Sequence, residues 1–386
     1  MTLLLNKKII IAISCLMRGG TEMQTLLLSR ALIESGYNVE ICCYFENDKS
    51  VVKEFKAIGT EITLLNWSRT IGTVQFIRSL ALILRKKKPD IIHIQYMTPG
   101  LLPIIAARLA GAKVILVTVN YPGTPHGLKE KILLRLGSRL ANGFICVSEA
   151  VEKSWFNDTR LIDLNNPEQI KEIKHFTVAN AIDIVGIDVA LEASVPKMSE
   201  IADNLKEKIV IGAVARLSRE KGIDILIEAL AKVKKVLGNA HLLIVGDGDQ
   251  LSYLKSSACN LKIEDSITWT GKLPWDEAMG YIKLMDVVAV PSRYEGFGLS
   301  AVEAMACGKP VVASRVDGLP EAIQDGMTGT LVLPENSSEL ASALIELLKN
   351  KERRQKIGNA ARKYIEQNYS YTKFRETYKV IYEHLR

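Results

Sequence analysis

Short apolar runs rich in Ile and Val alternate with stretches of helical periodicity along almost the whole chain. No other feature narrows the fold as far. The first run, Ile9–Ser14, is followed by Thr21–Glu34, where Met23, Leu26, Leu27 and Ala31 share one helix face and Gly36 follows the end. Strands are expected next at Val39–Tyr44, Ile62–Leu65, Asp90–Ile94, Lys113–Val117, Gly143–Val147 and His175–Val178. Helical stretches such as Val74–Arg85 and Lys129–Leu140 separate most of them. Such alternation means strand–helix–strand units and a parallel sheet with helices on both faces. The pattern pauses in a softer segment, then resumes at Lys208–Val214, Ala240–Val245, Ser266–Trp269, Val287–Val290, Pro310–Ala313 and Gly329–Leu333. The expected class is α/β, with two doubly wound domains facing a central cleft. Ligands of such sheets bind outside the carboxyl ends of the strands.

The expected boundaries are 1–185 for the first domain, 186–207 for a linker and 208–366 for the second domain. A final helical segment, 367–386, has no strand after it. With 386 residues, 48% of them apolar, each domain can bury its own core. None of the six cysteines forms a Cys-x-x-Cys pair or stands at metal-ligand spacing from a histidine, so buried reduced thiols of a cytoplasmic protein are expected. No apolar stretch approaches the ~20 residues of a membrane span. Ile9–Met17, after Lys7 and Lys8, reads as a buried strand rather than a leader.

The net charge of +7 is too mild to point to nucleic acid, and it is unevenly placed. Between Arg69 and Arg139 stand twelve Lys or Arg and only two acids, Asp90 and Glu130. Lys131, Arg135 and Arg139 repeat every four residues, with Leu133, Leu134 and Leu140 interleaved or adjacent. A face of that kind either packs by its leucines and stays solvated, or rests on an anionic membrane surface. Aromatic residues that could stack on bases are absent from it.

Two stretches carry the chemistry. Pro291-Ser-Arg-Tyr-Glu295-Gly-Phe-Gly-Leu299 follows a strand and opens a helix containing Glu303. Gly296 and Gly298 let a ligand approach the backbone, and the helix N-terminus offers free amides to a phosphate. Glu295 and Glu303 lie eight residues apart, a spacing that lets both carboxylates serve hydroxyls at the strand ends. The second stretch, Gly212-Ala-Val-Ala-Arg216-Leu-Ser-Arg-Glu-Lys221-Gly222, also runs from strand to helix. Arg216 and Lys221 there can neutralise a diphosphate. Asp247-Gly248-Asp249 is discounted as a metal motif. Gly246 and Gly248 lack the third glycine of a dinucleotide fingerprint, because Leu251 stands there.

Together these stretches resemble the retaining, GT-B-fold glycosyltransferases of the group 1 family. Lys221-Gly222, Val245-Gly-Asp-Gly248, Glu295 to Glu303, Gly308-Lys-Pro-Val-Val312, Gly318-Leu-Pro-Glu321 and Asp325-Gly-Met-Thr-Gly329 occur in that family's order. The resemblance implies two Rossmann-like domains and a UDP- or GDP-sugar held by the second. Glu303 would hold the ribose, and Arg216 and Lys221 the diphosphate. Glu295 with the backbone of Gly296, Phe297, Gly298 and the start of the helix at Leu299 would hold the sugar. The base would lie near Lys272 and Leu273. No cofactor is implied, and no metal is required where two cations meet the diphosphate.

The first domain matches less closely. Arg18-Gly19-Gly20-Thr-Glu22 resembles the family's glycine loop, with Gly19 and Gly20 approaching the phosphates. Asp90-Ile-Ile-His93 resembles an Asp-x-x-His strand. Where the family commonly has Thr-x-His, this chain has Thr118-Val-Asn120, and Asn120 cannot titrate near neutral pH. His93, Asn120 and His126 are the acceptor-side candidates, and Lys131, Arg135 and Arg139 the membrane-facing ones. The family's final helix crosses back to the first domain.

The expected activity is retaining transfer of a sugar to an acceptor hydroxyl, a hexosyltransferase reaction. The acceptor would be lipid-linked or a free saccharide, in polysaccharide or lipopolysaccharide synthesis. The protein would be cytoplasmic or peripheral on the inner face of the plasma membrane, with no nucleic-acid partner. A nucleotide-sugar epimerase and an inactive nucleotide-sugar-binding subunit are the alternatives.

Overall fold

The computed structural model describes residues 7–96, 101–193 and 199–384. They divide into two compact units, one of Met1–Ala181 with Tyr371–Arg386 and one of Ile182–Ser370.

In the first unit the strands are β1 (Lys8–Ile13), β2 (Asn38–Cys43), β3 (Glu61–Leu64), β4 (Ile91–Tyr96), β5 (Val114–Val119), β6 (Gly143–Cys146) and β7 (His175–Thr177). Their spatial order is β3-β2-β1-β4-β5-β6-β7, and every pairing is parallel. β5, VILVTV, is buried at every position. That is what a parallel strand covered by helices on both faces requires, and it is why the run lacks polar alternation.

The second unit has β8 (Ile209–Val214), β9 (Ala240–Val245), β10 (Ile267–Trp269), β11 (Val287–Val290), β12 (Val311–Ser314) and β13 (Thr330–Val332). Their order is β10-β9-β8-β11-β12-β13, again parallel. The winding direction reverses between β1 and β4 and between β8 and β11. Such switch points open a crevice at the carboxyl ends of the strands.

Segment 186–207 is no simple linker. Ile184–Ala193 and Ser199–Leu205 are helices counted with the second unit, and the first of them packs on helix Trp275–Lys283. Ile187 and Ala190 of that first helix are buried and dock it there. Residues 194–198 lie outside the described residues. The chain passes between units at Ala181/Ile182 and at Ser370/Tyr371, rather than near 185 and 367.

The last helix, Tyr371–His384, belongs to the first unit and packs on helix Gly20–Glu34. Phe374, Tyr378, Ile381 and Tyr382 enter that unit's core. Arg30 lies over the Tyr371 ring at 4.7 Å, and Arg375 reaches Glu34 at 3.1 Å. Among the described residues, no helix is long and apolar enough to cross a membrane.

Candidate functional site

The carboxyl edge of the second sheet is built by loops that approach one another more closely than side chains would allow. Gly222, with φ of +64°, lies where a Cβ would stand 2.0 Å from the Pro291 carbonyl oxygen. The loops after β8 and β11 can therefore touch there only through glycine. Gly246, with φ of +143°, faces the Ala215 carbonyl in the same way, at 1.9 Å. The Gly-x-Gly after β9 thus serves backbone packing, and Asp247 Oδ1 accepts from the Gly248 amide at 2.8 Å. Among the described residues, no cluster of His, Cys, Asp or Glu could hold a metal ion.

This packing brings Lys221 and Glu295 together. Lys221 Nζ donates to Glu295 Oε2 at 2.6 Å, and Ser292 Oγ donates to the same oxygen at 3.2 Å. The Glu295 turn is braced from the loop after β12. Its amide donates to Asp317 Oδ2 at 3.0 Å, and its carbonyl accepts from the Gly318 amide at 3.2 Å. Gly298, in the left-handed region, then starts helix Leu299–Ala306 with no side-chain cap. The Ala301 and Val302 amides donate to the Gly298 carbonyl at 2.9 and 3.1 Å, which leaves those of Leu299 and Ser300 to a ligand. The Phe297 side chain is buried against Tyr369, ring centroids 5.2 Å apart, so only its backbone is on offer. A narrow cavity at the switch point is lined by Ala215, Lys221, Ser292 and Ser300.

Arg216 is exposed and pairs with Glu220 at 2.5 Å, one residue before Lys221. Glu303 accepts from Trp275 Nε1 at 2.8 Å. This bond sets the loop bearing exposed Lys272 and half-buried Leu273 beside the helix that carries Glu303. Withdrawal from water pushes the Glu303 carboxyl up to about 7, against the opposing pull of the Trp275 hydrogen bond.

Sequence reasoning missed a clamp. Arg293 grips Asp224 with two bonds, Nη1–Oδ1 at 2.9 Å and Nη2–Oδ2 at 2.8 Å. It also donates to the Arg219 carbonyl at 2.7 Å and to Glu335 at 2.9 Å, while its own amide donates to the Glu220 carbonyl at 2.8 Å. The short turn Arg219–Lys221 is thereby fixed to the strand end that carries Glu295. Arg293 stands inside the motif already singled out, but its partner is 69 residues away.

In the first unit, Gly19 is extended and caps helix Gly20–Glu34 without a side-chain bond. A Cβ on Gly19 would stand 2.6 Å from Glu22 Oε2. Glu22 is itself buried and accepts from Cys15 Sγ at 3.3 Å.

The acceptor-side candidates fare differently. His93 is wholly buried, with Nδ1 2.5 Å from Tyr382 Oη and Nε2 2.6 Å from Thr118 Oγ1. Burial drives its pKa down to about 3, so it is a neutral core residue and no acceptor ligand. Asn120 Nδ2 contacts Gln95 Oε1 at 3.4 Å, at the carboxyl ends of β5 and β4. His126 packs on Trp155 with ring centroids 5.1 Å apart, and burial lowers its pKa.

Arg135 is turned back onto its own unit. Its Nε donates to the Trp155 carbonyl and its Nη2 to Asn157 Oδ1, each at 2.8 Å. Leu134 is buried as well. Lys131 is half-buried and Arg139 exposed.

Two doubly wound parallel-sheet units, with cations, carboxylates and an uncapped helix start at the carboxyl edge of the second, define the GT-B fold of glycosyltransferases. Comparison with known proteins specifies the family. Residues 195–364 match the family described as Glycosyl transferases group 1, and residues 18–159 match Glycosyltransferase Family 4. The chain is 30% identical to N-acetyl-alpha-D-glucosaminyl L-malate synthase of Bacillus anthracis over 78% of its own length and 77% of that protein's. It is 32% identical to an uncharacterized glycosyltransferase of Methanocaldococcus jannaschii, MJ1069, over 56% of this chain and 57% of that one. Anabaena Alr3699/HepE in complex with UDP-glucose shares the fold, with a TM-score of 0.78 and 21% identity over 97% of this chain and 98% of that one. The chain belongs to the group 1 glycosyltransferases.

Proposed function

We propose that this protein transfers a hexose from a nucleotide diphosphate sugar to an acceptor hydroxyl with retention of configuration. The observation that carries the reading is the Lys221–Glu295 pair at the β8/β11 switch point, beside the uncapped start of helix Leu299–Ala306. In the resting site the ammonium of Lys221 is matched by the Glu295 carboxylate. An arriving diphosphate competes for Lys221 and frees Glu295 to accept from sugar hydroxyls. Arg216 turns from Glu220 to the same diphosphate.

As the glycosyl–oxygen bond lengthens, negative charge grows on the β-phosphate. Lys221 and the amides at the helix start stand at that position before the charge develops, which is electrostatic preorganisation, and Arg216 joins them once the diphosphate is bound. The departing phosphate takes the acceptor's proton, and the acceptor oxygen forms the new bond on the face the nucleotide leaves. Glu303, within reach of the Lys272 loop, accepts from ribose hydroxyls. Two cations on the diphosphate remove the need for a metal. UDP-glucose in Alr3699/HepE supports a donor of this class. The acceptor is a lipid-linked or free saccharide used in cell-surface glycan synthesis.

The test is mass spectrometry of products from a panel of UDP- and GDP-sugars, with lipid-linked and soluble saccharide acceptors. Acceptor-dependent release of UDP or GDP, with an α-linked product from an α-linked donor, is expected. An epimerised donor without acceptor, or no turnover of any donor that binds, would contradict it.

A further inference from the structure

One face of the first unit carries an exposed apolar pattern that includes no donor-site residue. On helix Leu128–Leu140 the side chains of Leu128, Ile132, Leu136 and Leu140 are 72%, 48%, 42% and 38% exposed. Residues four apart on a helix stand one above another, so these four form a continuous apolar row. The row points outward because the opposite face is filled. Leu134 is buried, and a Cβ on Gly137 would stand 2.7 Å from the Leu101 side chain. Exposed Lys129 and Arg139 flank the row.

The neighbouring helices extend it. Helix Thr73–Lys87 packs on Leu102–Leu109, which packs on Leu128–Leu140. On Thr73–Lys87 a second row, again spaced by four, alternates apolar and basic. Val74 and Leu82 are 68% and 65% exposed, and Arg78 and Lys86 are exposed between and after them. Leu109, 54% exposed, lies between the two rows. The three helices are laced together. Arg85 donates to the Leu109 carbonyl and Arg108 to the Leu140 carbonyl, each at 2.5 Å.

We propose that this three-helix face docks on an anionic phospholipid surface, with the Leu128–Leu140 row entering the headgroup boundary. Charge complementarity selects the occupant. Arg78, Lys86, Lys129 and Arg139 are exposed on the three helices, whose one acid is the half-buried Glu130, so the leucines are rimmed by positive charge. A self-association surface of this composition would bring like charges together, whereas anionic headgroups neutralise them. Apolar side chains that would otherwise meet water are covered in the same event. The inference is independent of the transfer reaction, because none of these residues belongs to the donor site.

The experiment is co-sedimentation of the full chain with vesicles of phosphatidylglycerol and phosphatidylcholine, and with phosphatidylcholine alone. Binding to the anionic vesicles at low salt, and its decline as salt rises, are expected. K129E/R139E should lower the partition coefficient by at least about 25-fold, taking roughly fivefold for each cation lost near the surface. Leu136→Glu should weaken binding while circular dichroism and UDP or GDP affinity stay unchanged, which separates docking from folding and from the donor site. Equal binding to neutral and anionic vesicles would overturn the proposal. So would binding unaffected by either variant, or a dimer in light scattering that Leu136→Glu dissolves without any vesicle binding.

Discussion

Replacing Asp224 by Ala removes the carboxylate that Arg293 grips through two bonds and leaves the guanidinium half-served by Glu335 and the Arg219 carbonyl. The two side chains are 18% and 26% exposed, so solvent screens the pair only in part. A fully buried pair that loses one partner costs about 3–5 kcal/mol and an exposed one under ~1, which sets the loss here at about 2 kcal/mol. For a unit of this size, the melting temperature should fall by roughly 4–8 °C. The second consequence is functional. The clamp holds the turn that carries Lys221, and ordering one loosened residue on ligand arrival costs about 1–2 kcal/mol. The dissociation constant for UDP or GDP, whichever binds the wild type, should rise about tenfold. Asp224→Asn keeps one acceptor oxygen and should restore most of the affinity. Arg293→Lys should not, because an ammonium cannot bridge both oxygens. The pH course has a fixed sign. Burial raises the Asp224 pKa, but the Arg293 hydrogen bonds and charge outweigh it, and the net shift is downward. The clamp's stability is therefore present above the ordinary aspartate range and lost as pH falls through the depressed value. Thermal melts and isothermal titration of the same variants check both halves. A lowered melting temperature with unchanged nucleotide affinity would refute the positioning argument.

Glu303 supplies a second pH signature. Its carboxyl sits up at about 7, and ribose hydroxyls donate to the ionised form, so nucleotide affinity should fall by up to tenfold per pH unit below that value. Because the folded value is raised, this group's stability contribution is full below the unfolded value and lost as pH climbs through about 7. Glu303→Gln should therefore raise the melting temperature at alkaline pH more than at acid pH, and flatten the affinity profile in titrations. Gly222→Ala should destabilise the second unit by more than about 1 kcal/mol in denaturant titration, since φ is positive and the added carbon meets the Pro291 carbonyl. Tyr382→Phe should cost about 1 kcal/mol by removing the hydroxyl on His93 Nδ1, without altering nucleotide affinity.

The strands were readable because parallel strands buried on both faces leave continuous apolar runs, as in Val114–Val119. The glycines around Lys221 and Glu295 were readable for a related reason: close backbone approach needs residues without Cβ atoms. What stayed hidden depends on contacts between distant parts of the chain. His93 has an unremarkable strand position, and its fate is set by Tyr382, 289 residues away. The Arg293–Asp224 clamp joins two loops in the same way. On helix Leu128–Leu140 the four-residue spacing of Lys131, Arg135 and Arg139 was legible, but the orientation of the helix was not. Trp155 and Asn157 draw Arg135 inward and turn a different row, from Leu128 to Leu140, to solvent. The segment 186–207 looked like a linker because the strand–helix alternation breaks there, at Ser194, Pro196, Ser199 and several charges, while Ile187 and Ala190 suffice to dock its first helix.

Isothermal titration of UDP and of GDP into the wild type and into Lys221→Met tests the donor site most directly. One of the two nucleotides should bind the wild type, and the substitution should weaken it by about 10- to 100-fold, the worth of a hydrogen bond to a charged group. Affinity untouched by the loss of Lys221, or no binding of either nucleotide, would contradict a diphosphate held at the carboxyl edge of the second sheet.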